Sequence, residues 1–165
     1  MQATLFNLPQ TRPHPAKYTE ALLPVMASML SGAGAIIDPF GGTGRIFELS
    51  KYGIDAHIEA VELEPEWSNC HPKTRQGDAL KLPFDDDSFD AIATSPTYGN
   101  RMADHHEAQD ASRRNTYTHV IGRPLSPNNS GRLQWGEEYR RFHVLAWTEA
   151  ARVLRPGGRF VLNMK

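Results

Sequence analysis

The sequence predicts an α/β fold, a doubly wound, mostly parallel sheet with helices on both faces. Three observations carry this. Short apolar runs alternate with stretches of helical periodicity. Glycines and acids gather where the apolar runs end, which is where ligands bind in such sheets. The last periodic stretch leads through Pro156-Gly157-Gly158 into another apolar run.

The elements follow in order. Pro9, Pro13 and Pro15 keep the first fifteen residues extended. Leu22, Leu23, Met26, Met29 and Leu30 recur at helical spacing, and Gly32 and Gly34 end that helix. Residues 35–37 form a short buried strand, and 45–52 a helix ended by Gly53. Residues 57–61 form a second strand and 76–80 a weak third. Asp85-Asp86-Asp87-Ser88 is a turn, and "FDAIAT" at 89–94 is a fourth strand. Residues 99–134 are polar and rich in Gly, Asn, Ser and Arg, a long loop expected to serve as a substrate-binding region. Residues 137–154 form an amphipathic helix with Tyr139, Phe142, Leu145, Ala146, Ala150 and Val153 on one side. A fifth strand begins at Phe160. The chain stops soon after, so the sheet is expected to be truncated after strand 5, with an open edge that a second copy of the chain would cover.

Composition bounds the class. The 165 residues suffice for one domain with a core, and 39% hydrophobic with 22% charged residues is ordinary for a globular protein. No apolar run nears the roughly 20 residues that span a bilayer, and no signal-peptide pattern is present, so a cytoplasmic location is expected. Cys70 is the one cysteine, which excludes a disulfide framework. The histidines His105 and His106 lack ligand spacing, and no metal is expected. The net charge of −1 hides an asymmetry: residues 1–100 carry a net −6 and residues 101–165 a net +5. That basic half is read either as a surface for an anionic partner or as a solvated helix face.

The stretch "IDPFGGTGR" at 37–45 carries the first chemistry. Gly41, Gly42 and Gly44 let the backbone turn tightly and approach a ligand, and the following helix offers free N–H groups. Glu62 ends the next strand, 24 residues after Asp38, where an acid accepts both hydroxyls of a ribose. A nicotinamide dehydrogenase uses such an acid too, but this loop lacks G-x-G-x-x-G. Asp38 would repel a pyrophosphate and attract an ammonium group. In "GDAL", Asp78 can accept from an adenine amine. A ligand with a cationic amino-acid end and a nucleoside end fits all three, and S-adenosylmethionine is that ligand.

In these motifs the chain resembles a class I S-adenosylmethionine-dependent methyltransferase, a Rossmann-like fold. "DPFGGTG" is similar to the family's cofactor loop, "VELEP" to its ribose-binding acid, "GDAL" to its adenine-binding acid and "RVLRPGGRFVLN" to its passage into the fifth strand. The resemblance implies cofactor contacts from Asp38, Pro39, Phe40, Gly41, Gly42, Gly44, Glu62, Leu63, Asp78, Ala79 and Ser95. "TSPTYG" at 94–99 is similar to the signature of amino-methyltransferases, with Thr97 where the signature has a second proline. It implies Ser95, Pro96 and Tyr98 as the catalytic group. Ser95 Oγ and the Pro96 carbonyl would accept the hydrogens of a weakly nucleophilic amine, and Tyr98 would stack on the base. "HPAKYTEALLPVM" resembles the lead-in of DNA amino-methyltransferases and implies Lys17 and Tyr18 beside the methionine moiety.

The reaction so implied is methyl transfer to an exocyclic amine of a nucleobase, cytosine-N4 or adenine-N6, with DNA ahead of RNA as partner and no membrane. Base flipping would deliver a duplex base. Arg101, Arg113 and Arg114, with His119, Arg123 and Arg132, are the expected phosphate contacts. An RNA amino-methyltransferase and a non-catalytic module that holds cofactor or nucleic acid remain as alternatives.

Overall fold

The computed structural model describes residue 14, residues 19–98 and residues 117–164. Five strands make one parallel sheet in the order β3-β2-β1-β4-β5. They are β1 (Ala35–Asp38), β2 (His57–Glu62), β3 (Thr74–Gln76), β4 (Phe89–Thr94) and β5 (Leu154–Leu162). The helices are α1 (Leu22–Leu30), α2 (Pro65–Ser68), α3 (Tyr117–Ile121) and α4 (Glu137–Val153), with 3-10 segments at Arg45–Tyr52 and Ser130–Arg132.

The side-chain period of two divides the core. Ile36, Ala60, Ala91 and Ala93 pack with Leu23, Met26 and Leu30 of α1 and with Ile46 and Leu49 of the 3-10 helix. Ile37, Val61 and Ile92 point the other way, against Ala150 and Val153 of α4. The winding reverses between β1 and β4, so the carboxyl ends of these strands face one crevice.

Local pattern and structure part in five places. Residues 45–52 are helical as expected, but wound as 3-10, between Gly44 and Gly53, both left-handed. The third strand lies at Thr74–Gln76 rather than 76–80. Asp78 Oδ1 accepts the Leu80 amide at 2.9 Å and folds the chain into a turn just past it. The fifth strand starts at Leu154, not Phe160. Pairing with β4 jumps from Phe89↔Leu154 to Ala91↔Arg159, so Pro156-Gly157-Gly158 form a bulge inside the strand instead of a break. Leu145 is 51% exposed and leaves the buried stripe of α4. The described part of the long loop, residues 117–134, contains α3 and a 3-10 turn, because Tyr117, Ile121 and Leu125 bury themselves against Trp67.

Part of the basic excess is used inside the molecule. Arg152 pairs with Asp86 and Glu149. Arg155 pairs with Asp90, and Arg159 donates to the Met29 carbonyl at 2.7 Å. Arg123 pairs with Glu64 and Glu66, which corrects its reading as a phosphate contact: its guanidinium is held by two carboxylates. Among the described residues β5 pairs only with β4, and Phe160, Leu162 and Met164 beside that edge are exposed.

Candidate active site

The loop after β1 is fixed from below. Asp38 Oδ1 accepts the Phe40 amide at 3.0 Å and the Thr94 hydroxyl at 2.7 Å, which ties β1 to β4. With 1% of its surface exposed, Asp38 lies under the loop and is not part of the pocket wall. In the structure its carboxylate orients the loop. Gly41 donates to the Val61 carbonyl at 2.8 Å, and a Cβ there would lie 2.8 Å from that of Ala60. Gly44 has φ +82°, and a Cβ would meet His71 at 2.6 Å. Only glycine fits either place.

Glu62, buried, lines the pocket. Its Oε2 accepts the Gly42 amide and its Oε1 the Glu64 amide, both at 2.9 Å. Burial pushes its carboxyl up to about 7. The two N–H groups oppose this, and the nearby Glu64 and Asp38 carboxylates add to it. A linkage follows. A carboxyl whose folded pKa lies above its unfolded value contributes stability at low pH and loses it as pH rises from about 4.5 through about 7. Ribose hydroxyls, in contrast, are best held by the ionised form. Affinity for S-adenosylhomocysteine should therefore fall by nearly tenfold per pH unit between about 6.5 and 5.5, while this group makes the free protein more stable. Calorimetric titration across pH 5.5–8, beside thermal melts, checks both signs; a pH-independent affinity would overturn the assignment.

At the far end of the crevice Asp78 and Ala79 line the pocket with Leu63. A strap closes over them. Glu64, fully buried, accepts Arg123 Nη2 at 2.6 Å, the Ser126 amide at 2.8 Å, the Ser126 hydroxyl at 3.0 Å and Asn129 Nδ2 at 2.8 Å. This holds residues 123–130 against α2 and brings Asn128, Asn129 and Ser130 into the pocket wall.

The turn after β4 completes the site. Ser95 lines the pocket. Its Oγ accepts Asn163 Nδ2 at 3.1 Å and lies 3.2 Å from the Tyr98 hydroxyl. Tyr98 also donates to the Asn163 carbonyl at 3.4 Å. The ring of Tyr98 is tethered to the end of β5 and is not part of the pocket wall. Pro96 is buried behind Ser95. Thr97, in place of a second proline, is held from outside. Its carbonyl accepts the Tyr139 hydroxyl at 2.6 Å, and its side chain hydrogen-bonds the Tyr117 phenol.

The pocket encloses about 770 Å³ counting its open mouth, enough for a nucleoside-sized ligand and more. Trp67 lines it, 2% exposed, and its indole N–H has no hydrogen-bond partner among the described residues. An orphaned donor in a pocket wall fits a ligand rich in acceptors. Gly41, Gly42, Glu62 and Asp78 fit the backbone approach, the ribose and the purine of S-adenosylmethionine.

The family described as "Methyltransferase domain" matches residues 30–114, just over half of the chain. The chain belongs to the class I S-adenosylmethionine-dependent methyltransferases. Solved structures share the methyltransferase's fold. The YcgJ protein of Bacillus subtilis is 22% identical with a TM-score of 0.53, over 87% of this chain and 50% of that one. The PH0226 protein of Pyrococcus horikoshii OT3 is 19% identical with a TM-score of 0.56, over 87% and 54%. Geranyl diphosphate C-methyltransferase of Streptomyces coelicolor A3(2), solved with S-adenosylhomocysteine, is 16% identical with a TM-score of 0.52, over 86% and 43%. The methyltransferase described here thus spans about half the length of the proteins it matches. No curated protein matches it in sequence.

Of the residues expected to hold the methyltransferase's cofactor, Pro39, Phe40, Gly41, Gly42, Glu62, Leu63, Asp78, Ala79 and Ser95 line one pocket. Asp38 and Gly44 shape its loop from beneath. Lys17, Tyr18, Arg101, Arg113 and Arg114 lie outside the described residues. Sequence reasoning missed His14, Trp67, Tyr117, Asn128 and Phe142, which also line the pocket. The His14 ring lies 4.4 Å from that of Trp67 and 5.5 Å from that of Tyr117. The His-Pro lead-in held a signal for His14. Nothing local marked the others, which α2, α3, the strap and α4 carry in from elsewhere.

Proposed function

We propose that this methyltransferase acts on an exocyclic amino group of a nucleobase, cytosine-N4 or adenine-N6, with DNA ahead of RNA. The observation that carries this is Ser95, which follows β4 at the wall of the cofactor pocket and opens a Ser-Pro-Thr-Tyr turn. An exocyclic amine is a poor nucleophile until its hydrogens are accepted. A serine hydroxyl has one donor and two acceptor sites. Asn163 fills one acceptor site, and Tyr98 receives the donated hydrogen once its own O–H points to the Asn163 carbonyl. One Ser95 lone pair is left for an amine hydrogen, and the Pro96 carbonyl is the second acceptor of the proposal. The bound cofactor supplies an electrophilic methyl group. The protein supplies position, which is worth several kcal/mol when reacting atoms are held at about 3 Å. Phe40 and Phe142 give the pocket flat walls suited to a planar acceptor.

A small-molecule acceptor is the second reading. Arg123, Arg152, Arg155 and Arg159 are engaged internally, so less basic surface is left for a phosphate backbone than the sequence implies. The geranyl diphosphate enzyme shows that this fold also serves small acceptors.

Tritiated methyl transfer to single-stranded DNA, duplex DNA, RNA and free nucleosides separates the readings. Label is expected in DNA. Ser95→Ala should cut transfer by about 100-fold, the scale of one lost polar contact to the reacting group, and leave affinity for S-adenosylhomocysteine within about threefold. Label only in nucleosides, or in nothing, overturns the proposal. A non-catalytic module would show cofactor binding and no transfer to any of them.

A further inference from the structure

Asp78 does not meet the purine end of the pocket alone. Its Oδ1 is taken by the Leu80 amide, and its Oδ2 accepts Asn128 Nδ2 at 2.8 Å. Both side chains belong to residues of the pocket wall. Asn128 comes from the strap, fifty positions downstream. A carboxylate only accepts, so the orientation of this amide follows: nitrogen toward Asp78, carbonyl oxygen turned away. One N–H and the carbonyl of Asn128 are left for a ligand. The position is fixed on both sides. Ser126 is tied to buried Glu64 by its amide and hydroxyl, and Asn129 by its side-chain amide.

Adenine presents an amine with two hydrogens beside a ring-nitrogen acceptor. A carboxamide matches that donor–acceptor edge, as asparagine does wherever it reads adenine. A carboxylate takes the second amine hydrogen. We infer that Asn128 is an adenine-selecting residue of the cofactor site and works as a pair with Asp78. A 6-oxo purine turns the edge around: an oxygen replaces the amine and meets the Asp78 carboxylate. The pair therefore reads the cofactor's base through an element that belongs to neither the glycine loop nor the strand ends. The inference rests on the cofactor and is independent of which acceptor is methylated.

The test is calorimetric titration of the whole chain and of Asn128→Ala with S-adenosylhomocysteine and with S-inosylhomocysteine. Asn128 is exposed at the pocket mouth, so the variant should fold, which its circular dichroism checks. The adenosyl ligand should lose about tenfold in affinity and the inosyl ligand less than about threefold, so the preference between them shrinks. Equal losses would make Asn128 a prop for the strap and overturn the inference. Unchanged affinities would overturn it too. Tighter binding of the adenosyl ligand would overturn it in the opposite sense, with the side chain merely standing where the purine goes.

Discussion

Glu62→Ala should lower affinity for S-adenosylhomocysteine by about 100- to 1,000-fold. Two hydrogen bonds from neutral ribose hydroxyls to a buried carboxylate are worth about 1.5–3 kcal/mol each, less the cost of ordering. The same substitution frees the Gly42 amide, which Glu62 holds at 2.9 Å, so the loop loosens at the pocket wall. Glu62→Gln keeps one acceptor and the shape of the side chain, and should lose only about tenfold to thirtyfold. Titrations at pH 8, where the wild-type carboxyl is ionised, give the comparison its full range. Melting temperatures recorded beside them separate lost binding from lost folding. An alanine variant that binds within threefold of wild type would remove Glu62 from the cofactor site.

The second large effect falls on stability. Glu64→Ala should cost about 3–5 kcal/mol, the range for removing one member of a buried charged pair, and lower Tm by roughly 10 °C in a domain of this size. Four donors converge on this carboxylate, and of them only Arg123, which also pairs with Glu66, keeps a carboxylate partner once it is gone. Cofactor affinity should fall with it, because Asn128, Asn129 and Ser130 stay in the pocket wall only while the strap is tied down. Differential scanning calorimetry with and without S-adenosylhomocysteine reads both. A Tm within a degree or two of wild type would show that the strap is held by the aromatic cluster of Trp67, Tyr117, Ile121 and Leu125 instead.

What the sequence made legible was what backbone geometry dictates. Gly41 must be glycine because Ala60 leaves no room, and a glycine between an acid and a helix is visible in any reading of the chain. The short apolar run of β4 reads as a strand because both of its faces are buried. Asp38 was legible as a residue of the loop, but not the two bonds its carboxylate makes inside the fold. Spacing places it at the loop, but only the structure shows Thr94 drawing its oxygen inward. The Pro-Gly-Gly stretch reads locally as a stop, and pairing with β4 overrides that preference. The strap was out of reach because its order comes from Glu64, about sixty positions upstream, rather than from its own polar residues. Charge counts had the same limit: they show ten arginines in the later part of the chain, not that four of them are already held by partners in the fold.

The strand order also has a consequence for synthesis. β1, β2 and β3 leave the ribosome first and lie side by side, and with them come Gly41, Gly42, Glu62 and Asp78. Ser95 and Asn128 follow later, Ser95 at the end of β4 across the reversal of the winding and Asn128 on the strap that returns to Glu64 and Asp78. A nascent chain that has made only the first three strands owns the glycine loop, Glu62 and Trp67 of the pocket lining, but not Ser95, Asn128 or Phe142. The pocket is therefore complete only once β4 has docked on β1 and the strap has reached Glu64.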